Sequence, residues 1–182
     1  MLLVIGALLC VLSVPLAGGR LGRLADLELK AVWTVLVAAA IQVVVTSAVR
    51  GGSHGLHVAL HAASYGLVIW FLVANRRLIG MPLLSLGVAL NTIAIAANGG
   101  VMPATKAALE IAGIDTSGGY SNSAAVQHPK LQILGDVIPV PGPWPIGNVL
   151  SVGDLLIFAG ALLLLHTACA TRLARRPTLS AG

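Results

Sequence analysis

Charged side chains are scarce in this chain of 182 residues: eleven Lys or Arg and six Asp or Glu make up 9% of it, where a soluble domain carries about 25%. So little charge excludes, on composition, an ordinary water-soluble enzyme. Aromatic residues are scarce too, at 4%, and they do not interleave with the basic ones. The net charge of +5 is therefore not the footprint of a nucleic-acid binder, and no nucleic-acid partner is expected. The two cysteines, Cys10 and Cys169, lie in or at the end of apolar runs, which excludes a disulfide framework. No phosphate-binding loop, dinucleotide-binding turn, haem-attachment motif or serine-nucleophile elbow is present. Nor is there an internal repeat of the kind many secondary transporters use, so a small-solute or lipid transporter is the weakest functional expectation.

What is present is apolar: 57% of the residues are hydrophobic and the mean hydropathy is +0.94. The apolar stretches run for about 17 to 25 residues, the length of a helix that crosses a hydrocarbon core, rather than in the short alternating segments of a barrel. The sequence therefore predicts an all-α integral membrane protein with five transmembrane helices over 2–17, 31–49, 56–74, 81–97 and 152–170. The first run lacks a basic stretch before it and a clean small-x-small cleavage site after it, so it reads as a retained span rather than a removed signal peptide. One membrane domain results, with helices one to four in 1–98, a cap in 99–150, and the last helix with a tail in 151–182.

Basic residues set the expected orientation. Arg20, Arg23, Lys30, Arg76, Arg77, Arg172, Arg175 and Arg176 fall on one side of a five-span arrangement, and Arg50, Lys106 and Lys130 on the other. Short loops rich in Lys and Arg stay cytoplasmic, which predicts a multi-pass protein of a bacterial cytoplasmic membrane, N-terminus outside and C-terminus cytoplasmic. The basic residues beside the runs also read as contacts to anionic lipid. The cap is then extracytoplasmic. It opens on Asn98-Gly99-Gly100-Val101-Met102-Pro103, a helix stop with glycines suited to positive φ. It continues into an amphipathic helix over 104–111, a Gly- and Ser-rich loop over 116–123, and a β-branched stretch over 130–140 that reads as a short strand.

Two acids bracket the proline-rich end of the cap, Asp136 before it and Asp154 at the start of the last apolar run. A carboxylate there costs up to roughly 2.5 to 3.5 kcal/mol at mid-span and less near its end, so it is a functional candidate. One reading of Asp154 is local: Ser151 three residues earlier has the spacing of a capping box, with the carboxylate at the positive end of the helix dipole. The other pairs it with Asp136 as an aspartyl dyad, one carboxylate activating a water and the other protonating the substrate carbonyl.

The segments Leu134-Gly135-Asp136-Val137-Ile138, Trp144-Pro145 and Ser151-Val152-Gly153-Asp154-Leu155-Leu156-Ile157 resemble the C-terminal region of lipoprotein signal peptidase (signal peptidase II). In that family a Val-Asp-Phe-Ile type segment, a Trp-Pro and a Phe-Asn-x-Ala-Asp motif supply two catalytic aspartates. The resemblance implies Asp136 and Asp154 as the catalytic pair, with Ser151 at the place of the motif's asparagine and Gly153 at its alanine. It also implies an active site near the outer membrane surface. The whole-chain spacing and the Asn-Gly-Gly-x-Met-Pro element resemble a group of small bacterial membrane proteins of uncharacterised function.

Other polar residues complete the list of candidates. His54, His57 and His61 include an i, i+4 pair, but with no acidic or cysteine partner nearby they read as a polar cluster rather than a metal site. His166 is expected to pack against a hydroxyl or a backbone carbonyl. Gln42, Asn91 and Asn98 should face the interior as links between helices. Asn91, Asn98, Ser151 and Trp144 are the substrate-binding candidates. No metal or organic cofactor is required. The leading expectation is a hydrolase or peptidase of the aspartyl type acting on a peptide or lipid-linked substrate at the outer membrane surface. The alternative is a non-enzymatic subunit or binding module whose Asp154 caps a helix and which docks a partner membrane protein or membrane lipids.

Overall fold

Runs of Leu, Ala and Val with few breakers form helices, and the breakers end them. The computed structural model describes residues 2–47, 54–114, 123–124, 129–142 and 147–174. Four helices come first: α1 (Leu2–Leu16), α2 (Val32–Ser47), α3 (His54–Ala74) and α4 (Met81–Ala97). A 3-10 turn over Leu21–Asp26 links α1 to α2. The cap contributes β1 (Met102–Pro103), α5 (Lys106–Ile111), β2 (Ser123–Ala124), β3 (Ile138–Val140) and β4 (Asn148–Leu150), and α6 (Val152–Ala168) closes the bundle. The backbone turns left-handed at Ala31, Gly80, Gly99, Gly100 and Ala170, close to helix ends, which stops regular helix there.

The five long helices lie on the five apolar runs, but the membrane-spanning fold expected of them is overturned. No helix among the described residues is long and apolar enough to cross a membrane. Helices α1, α2, α4 and α6 stop at 15, 16, 17 and 17 residues. At 1.5 Å per residue, the 15 and 16 residues of α1 and α2 reach about 22 to 24 Å, short of a hydrocarbon core about 30 Å thick. The multi-pass location in a bacterial inner membrane falls with it, as do the inside and outside assigned to the two ends.

Helices α4 and α6 run antiparallel, and glycine lets their backbones meet. A methyl group on Gly87 would strike the carbonyl oxygen of Gly153, and one on Gly80 would strike that of Gly160. Gly80 and Gly87 are seven residues apart, as are Gly153 and Gly160, so each pair repeats on one helix face. Elsewhere polar side chains join the helices. Gln42 of α2 donates to Ser64 Oγ of α3 at 2.7 Å. Asn75, just past α3, exchanges two bonds with the Lys30 backbone, each 2.9 Å.

The cap is two small sheets around one short helix. Strands β1 and β2 are parallel, β3 and β4 antiparallel with Ile138 opposite Leu150. Thr105 Oγ1 caps α5 by accepting from the Ala108 N–H at 3.2 Å. Ala104, Ala108, Leu109, Ala112 and Val149 form its buried core. Helix α5 falls inside the stretch expected to be amphipathic, and β3 inside the stretch expected to hold a strand.

Candidate site at the head of the last helix

Ser151 and Asp154 close α6 at its N-terminus with both halves of a capping box. Ser151 Oγ accepts from the Asp154 N–H at 3.0 Å, and Asp154 Oδ2 accepts from the Ser151 N–H at 2.9 Å. Asn91, one turn past Gly87 on α4, completes the ring. Its Nδ2 donates to Asp154 Oδ1, and its Oδ1 accepts from Ser151 Oγ, both at 2.8 Å. Gly153 makes room: a methyl group there would strike Asn91 Oδ1. Ser151 is fully buried. Both carboxylate oxygens of Asp154 thus hold structural bonds, the arrangement of the capping alternative extended across to a second helix.

Asp136 is brought to the same end by the hairpin, since the Val137 N–H donates to Leu150 O at 3.2 Å one residue before Ser151. It is 5% exposed. Its backbone bridges to the start of the cap: its N–H donates to Pro103 O at 2.8 Å, and its carbonyl accepts from the Thr105 N–H at 3.2 Å. Gly135 lies so close to Pro103 O that no side chain fits. Asp136 is therefore part of the seam that fastens the cap.

Asn98, expected at a substrate, ends α4 instead. Its Nδ2 donates to Ala94 O and Lys130 O, and its Oδ1 accepts from the Lys130 N–H at 2.9 Å. The structure brings Asn91, Ser151 and Asp154 together and leaves Asn98 in a separate link. Trp144 lies outside the described residues. His61 Nδ1 is buried without a hydrogen-bond partner, and its ring stands 6.2 Å from that of Tyr65, whose phenol is pushed up by burial. Among the described residues no group of three or more metal-ligating side chains gathers. His166 does meet hydroxyls, with Nε2 3.0 Å from Ser13 Oγ and Nδ1 2.9 Å from Thr171 Oγ1.

The opposite end of the bundle was not singled out as a site by sequence, and it holds most of the charged side chains among the described residues. The Arg20 N–H donates to Cys169 O and the Arg172 N–H to Ala17 O, tying the ends of α1 and α6. Lys30 and Asn75 tie the start of α2 to the end of α3. Arg20, Arg23, Lys30, Arg76, Arg77 and Arg172 thereby share one end, with only Asp26 and Glu28 against them among the described residues. Trp33 and Trp70, 60% and 65% exposed, stand near the same end, at the start of α2 and one turn from the end of α3.

The fold and the site define a helical bundle with a small β-rich cap, fastened by a polar ring where the last helix begins. The chain belongs to a family of unknown function, DUF5317, matched over residues 26–166. It is 32% identical over 100 residues to an uncharacterized protein of Thermotoga maritima, a match covering 55% of this chain. The chain spans 58% of the length of that relative. No solved structure matches it. Membership in a group of uncharacterised proteins is thus shown, whereas nothing in these likenesses points to lipoprotein signal peptidase. The expectation of an aspartyl hydrolase or peptidase is not supported: neither the family nor the relative is described by such an activity, and the ring gives Asp154 a structural occupation.

Proposed function

We propose that this protein is a non-enzymatic binding module that docks lipid through the apolar outer faces of its helices and a basic end. The observation that carries the proposal is one juxtaposition. Large apolar side chains point outward along the helices, among them Leu9, Leu12, Leu36, Val73 and Leu86, each at least half exposed. A continuous apolar exterior of this kind marks an interaction surface, and burying one such side chain contributes roughly 1.5 to 3 kcal/mol. That exterior meets a collar of six Lys and Arg with two indoles beside it. Indoles beside basic residues are the pattern of a lipid headgroup boundary, and each cation near an anionic lipid surface adds about 1 kcal/mol.

Asp154 then has the part its bonds give it, holding α6 to α4 so that the exterior stays rigid. The likeness to lipoprotein signal peptidase rests on motif residues alone and carries no step here. The test is co-flotation of the full chain with vesicles of phosphatidylcholine, with and without phosphatidylglycerol, at low and high salt. The expected result is flotation that strengthens with the anionic lipid and weakens with salt. Protein that stays at the bottom of the gradient with every vesicle would overturn the proposal in favour of a protein partner.

A further inference from the structure

At the basic end a shallow recess of about 350 Å³, open to the outside, lies between the 3-10 turn and the end of α6, lined by Arg23, Asp26, Leu27, Thr167, Ala168 and Ala170. Its chemistry is of two signs. Arg23 and Asp26 are three residues apart in a 3-10 turn, where side chains at i and i+3 eclipse and project together. Both are exposed, and among the described residues no ion pair joins them although they line one cavity. The opposite wall is the negative end of the α6 dipole. There the carbonyl oxygens of Ala168 and Ala170 accept no backbone hydrogen bond among the described residues. Ala170, with φ of 47°, turns the chain left-handed at this wall, a conformation that costs a non-glycine residue roughly 1 to 2 kcal/mol.

We infer that this cavity takes a zwitterionic aminoalkyl phosphate of the ethanolamine type. The guanidinium of Arg23 suits the phosphate, because its planar fork matches two phosphate oxygens. The carboxylate of Asp26 and the negative end of the α6 dipole suit a primary ammonium, which has three N–H donors to give. A lone anion would face the carboxylate and the helix C-terminus, both repulsive, and a lone cation would face Arg23. A choline phosphate has the right charges but no N–H to donate, so the Asp26 carboxylate discriminates against it. A cavity of this size lies at the small end of ligand pockets and fits a headgroup rather than a whole lipid. The inference rests on the lipid-docking reading if the ligand is a lipid headgroup, and stands apart from it if the ligand is free phosphoethanolamine.

The experiment has two arms on the full chain. In the first, partition is measured into phosphatidylcholine vesicles and into vesicles with half of that lipid replaced by phosphatidylethanolamine, so that net charge is unchanged. The expected result is about tenfold stronger partition with phosphatidylethanolamine, an advantage lost in Asp26→Asn and Arg23→Gln, both exposed substitutions that leave the core alone. Equal partition into the two, or an advantage that both variants keep, overturns the headgroup assignment and leaves the lipid-docking reading standing. In the second arm soluble phosphoethanolamine is titrated and followed by NMR. Saturable binding that Asp26→Asn abolishes, in a protein that floats with no vesicle, assigns the site to the free ligand and removes the lipid-docking reading. Binding in neither arm overturns the inference.

Discussion

The side-chain amide of Asn91 donates to the carboxylate of Asp154 at 2.8 Å, across the line where α4 and α6 touch. The same amide accepts from Ser151 Oγ, so one asparagine completes a capping box on another helix. Removing it leaves a buried hydroxyl and one carboxylate oxygen short of a partner, which costs about 1 to 3 kcal/mol. Asn91→Ala should lower thermal stability by that amount. Asn91→Asp should lower it further, because it sets a second carboxylate against Asp154. Asp154→Asn should cost about 1 kcal/mol as a weakened cap. Denaturant unfolding of the three variants checks the order, and an Asn91→Ala protein as stable as the parent contradicts it.

Gly87 and Gly66 make a matched pair of substitutions. A methyl group on Gly87 strikes the Gly153 backbone, whereas one on Gly66 of α3 meets nothing within 4 Å. Gly87→Ala should destabilise by about 1 to 3 kcal/mol or more, because backbone cannot step aside. Gly66→Ala should stabilise by up to about 1 kcal/mol, since alanine is the better helix former. Thermal melts of both variants give opposite signs if the α4–α6 contact is as close as described.

Cys10 and Cys169 are 6% and 1% exposed, and burial pushes both thiols above the ordinary value near 9.0, Arg23 opposing the shift at Cys169. A folded value above the unfolded one means that folding favours the neutral thiol. That contribution is fully present below about pH 9 and lost as pH rises through the folded value. Unfolding free energy should therefore decline above pH 9 in the parent and less steeply in Cys169→Ala. At pH 8 a disulfide reagent should react only as fast as the chain opens, measured as thiol release with and without denaturant.

How much of this was legible in the sequence depended on the range of the interaction. Helix positions were legible because apolar runs end at Gly, Asn and Pro, and the Ser151 to Asp154 spacing announced its capping box. The membrane crossing was not, because hydropathy measures apolar character along a run and does not fix where regular helix stops. Left-handed residues at Ala31 and Ala170 are not foretold by alanine, the best helix former. Asn91 was recognised as an interior link, but its partner lies 63 residues away and no local pattern names it. The Gly80 and Gly87, Gly153 and Gly160 spacing was there to be read as a matched seven-residue repeat. The basic residues were read as lipid contacts and placed on one side, and six of them share one end of the bundle; that Trp33 and Trp70 stand beside them follows from how the helices pair.

If the helix exteriors near Trp33 and Trp70 dock lipid, collisional quenching of tryptophan by brominated acyl chains reports it. In a Trp144→Phe background the remaining fluorescence comes from those two indoles alone. Strong quenching is expected in vesicles of brominated lipid containing phosphatidylglycerol, reduced by half when either Trp33 or Trp70 is replaced by phenylalanine. Fluorescence that brominated lipid leaves unchanged, in a protein shown to be folded, would contradict it.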